Sequence, residues 1–282
     1  MNRRKNIMEY LKKNPLLRPF PAIVAIVVII WVVYFLILFC PPIYDLLEHK
    51  SDNPFGFFTN MWIHDLDDQG YHILNNTTGI IVFGYIVSIQ TSRKNMVIVF
   101  LLSGILTSIF LGIFVSFMNA TLTERYVTWA TAQGVIIIGD FHLFSTGGGG
   151  ASNAIMGLSG FSFVLAGYYF ILFIVRNARD LYHRNLDLLK QTFKENWIFL
   201  LINSVAIVFT SFIFYERLVA DFLMFTYTLT YLYAFVEGVG IPFPLSRGHP
   251  LLAHIFGALF GFLLGLVYLI DRNSNQVQEE IK

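Results

Sequence analysis

The sequence predicts an all-α membrane protein, a bundle of six helices that cross the bilayer, and three observations support this prediction. Hydrophobic residues fill 56% of the 282 positions and charged residues only 13%, against about 25% charged residues in an average soluble domain. Six segments are apolar over roughly the 20 residues that a helix needs to cross the hydrocarbon core. The basic residues collect in alternate loops between these segments, as in membrane proteins of fixed orientation.

The six expected spans lie, in chain order, at 21–40, 73–90, 96–118, 153–175, 197–215 and 250–270. We interpret 21–270 as one membrane domain, because no internal repeat or low-complexity tract divides it. Residues 1–20 form a polar N-terminal segment, and residues 271–282 form a polar tail. A further stretch, 218–236, is apolar enough to be a seventh span, with Asp221 as its single charge.

The distribution of charge predicts the orientation in the membrane. If the N-terminus is cytoplasmic, the inside segments hold fifteen of the nineteen Lys and Arg residues: six before Phe20, two at 93–94, five within 176–194 and two in the tail. This excess predicts that both termini are cytoplasmic. We expect a multi-pass protein of the plasma membrane that lies in the lipid bilayer. The net charge of +1 gives no field that would attract a nucleic acid.

Polar side chains lie where the even-numbered spans begin. The second span starts with His72 and Asn76, which are four residues apart and share a helix face. The fourth span starts with two serines, Ser152 and Ser159, and the sixth with His254. Because polar and ionisable groups are costly at membrane depth, these residues are the functional candidates.

Helix direction brings these polar residues to one depth. With a cytoplasmic N-terminus, every even-numbered span begins at the outer face, so the three sets of residues can meet. Gly257 and Gly261 have the spacing of small residues that lets two membrane helices approach closely, and we expect them to bring His254 near a serine. A seventh span would carry His254 to the opposite face, so we interpret 218–236 as a lid-like or interfacial segment.

These residue types predict acyl transfer by a serine and a histidine. A serine hydroxyl is a poor nucleophile until a neighbouring base takes its proton, and histidine titrates near neutral pH. The reaction creates an oxyanion, which His72, Asn76 and backbone N–H groups at a helix start could stabilise. Because the third span offers no carboxylate at this depth, we expect a Ser–His dyad rather than a triad.

The loop before the second span offers a competing interpretation, since it combines two histidines with three aspartates: His64, Asp65, Asp67, Asp68 and His72. Such a set could bind a divalent cation, but we favour a solvated acidic loop. The lone Cys40 excludes an internal disulfide and a metal site of several cysteines. We expect neither a metal nor a cofactor.

At these residues the sequence resembles the rhomboid family of intramembrane serine proteases. The likeness covers about 62–269 and lies in four places. His72 and Asn76 match the family's His-x-x-x-Asn, and Ser152 or Ser159 lies where the family has a Gly-x-Ser-Gly at the opening of the fourth span. The sixth span has an Ala-His, and a Gly-x-x-x-Gly follows it. Each motif alone is weak. The four in this order and orientation are specific.

Two serines compete for the family's nucleophile position. Ser152 directly follows a glycine run, but Asn153 replaces the glycine that usually comes next. Ser159 lies in the literal sequence Gly-Leu-Ser-Gly, yet Val164 fills a place that is normally small. Depth relative to the cytoplasmic charges slightly favours Ser159. The glycine run and the small residues at the expected helix crossing favour Ser152, which we take as the nucleophile, with Ser159 as the alternative.

The resemblance implies a serine endopeptidase that cleaves single-span membrane proteins near the outer face. A helical substrate would have to unwind before attack, because its own hydrogen bonds protect the peptide bond. The alternative is a proteolytically inactive relative that binds membrane helices, and Asn153 is the residue that favours it.

Overall fold

The computed structural model of the protein describes residues 19–48, 55–64, 66, 70–132, 150–182, 186–213, 215 and 249–281. Within these ranges the chain is helical and contains no strand. The helices are α1 (Phe20–Phe39), α2 (Pro42–Leu47), α3 (Gly56–Thr59), α4 (Tyr71–Gln90), α5 (Arg93–Ala132), α6 (Ser152–Tyr182), α7 (Leu186–Ile213) and α8 (His249–Ile281). A 3-10 turn, Asn60–Trp62, continues α3.

Six of these helices are long and apolar enough to cross a membrane, namely α1, α4, α5, α6, α7 and α8. Their apolar parts are Phe20–Phe39, Tyr71–Gln90, Arg93–Phe117, Ser152–Val175, Lys190–Phe212 and Ala253–Ser274. Each overlaps one of the expected spans, so the predicted all-α fold with six transmembrane helices is confirmed. The helical form satisfies every backbone hydrogen bond within the segment, as lipid requires. The stretch 218–236 lies outside the described residues.

The outer surface of these helices is apolar. Large hydrophobic side chains more than half exposed include Phe117 on α5, Ile171 on α6, Val208 on α7 and Val267 on α8. Soluble proteins rarely expose contiguous apolar surface on this scale. The chain is therefore a multi-pass membrane protein, whose exposed side chains face lipid.

Helix α6 is the centre of the bundle, in contact with α4, α5, α7 and α8. Its residues from Asn153 to Ser162 are all buried. The core around it includes Phe83 from α4 and Phe100 from α5, neither of which is exposed. A polar group on the first turns of α6 is therefore shielded from lipid by the surrounding helices.

Helices α6 and α8 form the most extensive contact in the bundle, and glycines allow it. A Cβ atom at Gly257 would overlap the carbonyl of Asn153, and one at Gly261 would overlap the carbonyl of Gly157. The two backbones touch at these positions. This is the close approach that small residues four apart permit between membrane helices.

The same contacts fix the direction of the two helices. The contact at Asn153 and Gly257 is followed, four residues later on both helices, by the contact at Gly157 and Gly261. Helices α6 and α8 are therefore parallel and cross the membrane in the same direction. An odd number of crossings must separate them, and among the described residues α7 is the helix between them that can cross.

The segment 55–64 packs against the bundle. Residues Met61 and Ile63 are 2% and 0% exposed, whereas Phe55 is largely exposed. The carbonyl of Asn60 accepts a hydrogen bond of 2.9 Å from the N–H of Gly150, two residues before α6 begins. This segment therefore lies directly beside the start of the central helix.

Candidate active site

A cavity of about 330 Å³ lies where the beginnings of α4, α6 and α8 meet. The polar side chains that line it are His72, Asn75, Asn76, Thr78, Ser152 and His254. Apolar side chains complete the lining, among them Phe83, Ile155, Met156 and Phe209. The residues predicted as base, as favoured nucleophile and as oxyanion donors therefore line one cavity.

Ser152 is the first residue of α6, and the backbone before it explains why the helix begins there. Gly150 has a φ of 150°, a conformation that residues with a side chain rarely adopt. Its N–H is held by Asn60, as described above, and the chain then turns into the helix. The Ser152 side chain is half-buried at the edge of the cavity.

Backbone donors accompany Ser152 at the start of α6. The N–H of Ile155 donates to the carbonyl of Ala151 at 2.9 Å, which begins the regular helical pattern. The N–H groups of the preceding three residues, 152–154, have no acceptor within the helix, because a helix start always leaves such donors. They are directed toward the end of α6 at which the cavity lies.

His254 reaches the cavity because of the glycine contact on α8. It lies three residues before Gly257, whose backbone touches Asn153. One helical turn advances about 5.4 Å, so His254 and Ser152 both lie within one turn of this contact. The ring of His254 is half-buried and lines the cavity together with Ser152.

Ser159 lies elsewhere on the same helix. It is 0% exposed, and its Oγ donates to the carbonyl of Met156 at 2.8 Å, as serines within helices often do. It is six residues beyond Asn153, or about 9 Å further along α6. The described lining of the cavity does not include it.

His72 and Asn76 face the same side of Gly150. A Cβ atom at Gly150 would lie 3.2 Å from His72 Nε2 and 3.5 Å from Asn76 Nδ2. Both nitrogens therefore converge on a space that the absent side chain of Gly150 leaves open. Two nitrogen atoms that approach one point beside a helix start form the kind of arrangement that stabilises a developing negative charge.

The interpretation of His64 as part of a solvated loop is wrong. His64 is 0% exposed, and its Nε2 lies 2.9 Å from Asn76 Nδ2. Its ring also contacts the ring of His72, with centroids 5.2 Å apart in an edge-on arrangement. His64 therefore belongs to the polar cluster beside the cavity. Asp65, Asp67 and Asp68 lie outside the described residues.

Spacing did not indicate this role for His64. It is eight residues before His72, and α4 begins only at Tyr71, so His64 lies outside the helix and no helical periodicity relates the two positions. The available signal was its neighbour Ile63, an apolar residue that is fully buried and draws His64 into the bundle. Among the described residues no group of three or more His, Cys, Asp or Glu could hold a metal ion.

No protein-family model, curated protein or solved structure matches the chain. The likeness to rhomboid proteases therefore remains a prediction from the four motifs. A serine at a helix start, a histidine that lines the same cavity and nitrogens from His72 and Asn76 are groups that acyl transfer can use.

Proposed function

We propose that the protein is an intramembrane serine endopeptidase of the rhomboid type, which cleaves single-span membrane proteins. One observation carries the proposal: Ser152 and His254 line the same cavity within a bundle whose outer surface is apolar. Parallel helices hold them there, locked by the contact between Asn153 and Gly257. A nucleophile and a base that share a cavity in a membrane bundle favour a protease over a simple packing role for these residues.

The proposed reaction proceeds through an acyl-enzyme. The Oγ of Ser152 attacks the substrate carbonyl carbon while His254 takes the hydroxyl proton. His72, Asn76 and the free N–H groups of the first turn of α6 stabilise the oxyanion. When the C–N bond breaks, His254 gives its proton to the leaving amine. A water molecule, deprotonated by His254, then hydrolyses the ester and restores the serine.

The described structure favours Ser152 over Ser159 as the nucleophile. Ser152 lines the cavity with His254, whereas the hydroxyl of Ser159 is buried and donates to its own helix. The replacement of the family's usual glycine by Asn153 does not prevent this arrangement, since it is the carbonyl of Asn153 that meets Gly257. We therefore assign the catalytic role to Ser152.

The cavity also favours an apolar substrate segment. Phe83 on α4 and Phe209 on α7 line it, with their ring centroids 5.8 Å apart. A substrate helix that unwinds at this level could place an apolar side chain against these rings while its backbone reaches Ser152. Following the distribution of basic residues, we propose that cleavage occurs near the outer face of the plasma membrane and that both termini are cytoplasmic. The resemblance suggests that 218–236 acts as the lid.

Cleavage by the purified protein in proteoliposomes tests this proposal, with a fluorescent single-span substrate and two matched variants on α6. We expect Ser152→Ala to lower kcat by about 10⁴-fold or more, because the nucleophile is lost. Ser159→Ala, which removes a hydroxyl seven residues away on the same helix, should retain the wild-type rate. Labelling by a fluorophosphonate should disappear only in the Ser152 variant.

Two outcomes would contradict the proposal. Full cleavage by folded Ser152→Ala protein would reject Ser152 as the nucleophile, and loss in Ser159→Ala instead would transfer the role to Ser159. Binding of the substrate without cleavage or labelling by the wild type would support the alternative function, an inactive rhomboid-like protein that binds membrane helices.

A further inference from the structure

The buried histidine beside the cavity has no role in the reaction proposed above. His64 comes from the segment before α4, outside the spans, yet it is 0% exposed and contacts both predicted oxyanion residues. Its Nε2 lies 2.9 Å from Asn76 Nδ2, and its ring lies edge-on to His72 at 5.2 Å. A titratable side chain is costly to bury, so its placement against these two residues calls for a physical explanation.

The contact between His64 and Asn76 joins Nε2 of the ring to the amide nitrogen, Nδ2. An amide NH2 group can only donate hydrogen bonds, so Nε2 of His64 must accept. The hydrogen of the neutral imidazole is then on Nδ1. One N–H of Asn76 is directed to His64, and the second N–H of the same nitrogen diverges from it by about 120°. The Nδ1–H tautomer of His64 therefore favours this orientation of the whole carboxamide.

The remaining N–H of Asn76 is available on the cavity side. Nδ2 of Asn76 lies 3.5 Å from the point where a Gly150 side chain would begin, close to the start of α6. An isolated asparagine can turn its carboxamide so that the oxygen replaces the nitrogen, which would present an acceptor to an oxyanion. With the imidazole hydrogen of His64 on Nδ1, that orientation is disfavoured, because it would bring two acceptors, Nε2 and the amide oxygen, together.

The segment 55–64, which contains His64, also contacts the chain at Gly150, on the other side of this space. The carbonyl of Asn60 accepts a hydrogen bond from Gly150, four residues before His64 in the chain. Met61 and Ile63, between them, anchor the segment in the core. One rigid segment thus positions the backbone that precedes Ser152 and the carboxamide of Asn76.

We infer that His64 is a positioning residue, which holds the Asn76 carboxamide with an N–H directed at the oxyanion. This inference rests on the proposed function. His64 does not touch the substrate carbonyl, and it acts only through Asn76. Its loss lowers the rate of acyl transfer while substrate binding is preserved.

Two variants of nearly equal size separate this role from simple space filling. His64→Gln retains an oxygen that can accept from Asn76, whereas His64→Met has no comparable acceptor. In proteoliposomes we expect His64→Met to lower kcat by about 10- to 100-fold, the range that a misplaced catalytic group can cost, with KM within about twofold of wild type. His64→Gln should keep a kcat at least about fivefold higher than His64→Met, because an oxygen acceptor is restored.

A double-mutant cycle with Asn76→Ala tests whether the effect passes through the amide. Once Asn76 is removed, His64→Met should cause no further loss of kcat. If His64→Met does not fold, as judged by its thermal transition in detergent, His64→Ala takes its place in the same cycle.

Each remaining outcome overturns the inference. Equal kcat for the Gln and Met variants would show that His64 only fills space. Multiplicative losses in the double variant would show that it acts independently of Asn76. Wild-type protein that cleaves no better than Ser152→Ala would reject the proposed function together with the inference, whereas either of the first two results would reject the inference alone.

Discussion

Helices α6 and α8 carry polar residues at both ends of their contact, and the two ends differ in what these residues do. At one end, Ser152 and His254 line a cavity. At the other end, Tyr168 donates to Oδ1 of Asn273 at 3.1 Å. There, Arg272 donates to the hydroxyl of Tyr169 and lies over its ring, 5.4 Å from the centroid.

The comparison shows why polarity near the end of a membrane helix does not by itself indicate a site. At the far end, Tyr168 and Tyr169 of α6 pair with Asn273 and Arg272 of α8, and we call these four residues the clamp. Each polar side chain of the clamp has its partner on the other helix. At the near end the polar side chains border a shared empty space. Between the ends, the glycine contacts keep the two helices parallel and in register, so both arrangements depend on the same backbone packing.

The largest expected effect comes from His254→Ala, which removes the base at the cavity end. Without a group to take the proton of Ser152, kcat should fall by about 10⁴-fold or more. KM should change little, because the ring is not expected to supply most of the substrate contact. Cleavage kinetics in proteoliposomes measure this, with the thermal transition of the variant as the check on folding. A folded variant that cleaves at the wild-type rate would remove His254 from the mechanism.

The variant Gly261→Ala tests the glycine contacts that lie between the two ends of the helix pair. The added methyl group would meet the carbonyl of Gly157, so the helices must separate, and overpacking of this kind costs about 1–3 kcal/mol. Gly167→Ala is the matched control on α6, because a Cβ atom there meets nothing within 4 Å. It should be neutral or stabilising by up to about 1 kcal/mol, given the helix propensity of alanine.

Reversible unfolding in mixed micelles measures the free energy of unfolding of both glycine variants. Cleavage assays on the same proteins measure their activity. We expect Gly261→Ala to lose activity as well, since the register that places His254 near Ser152 is disturbed. Equal stability of the two variants would show that the backbones do not touch at Gly261 in the membrane.

Much of the fold follows from the sequence, because the membrane imposes a simple rule. A segment of sufficient length and apolarity must be helical in lipid, so hydropathy alone located all six spans. The parallel arrangement of α6 and α8 agrees with the count of crossings when 218–236 is interpreted as a lid-like or interfacial segment. The spacing of Gly257 and Gly261 indicated close packing, but which residues of α6 they touch depends on tertiary register, and only the structure shows Asn153 and Gly157.

The site was predictable only where its residues lie on helices. His72 and Asn76 share a face because they are four apart on α4, and periodicity reveals such pairs. His64 lies before α4 begins at Tyr71, so helical spacing carried no information about its pairing with Asn76. The choice between Ser152 and Ser159 similarly depended on where α6 begins and which side chains reach the cavity.

The smallest expected effect is at the far end of the helix pair, where Tyr168→Phe removes one hydrogen bond and keeps the ring. Tyr168 is half-buried and Asn273 is exposed, so water can replace the lost partner. Hydrogen bonds between membrane helices contribute about 0.6 kcal/mol on average, and the free energy of unfolding should fall by no more than that. A double-mutant cycle with Asn273→Ala isolates the pair, and cleavage should continue at the wild-type rate. A large loss of kcat in folded Tyr168→Phe protein would show instead that the clamp transmits strain along α6 to Ser152, so that the two ends do not act independently.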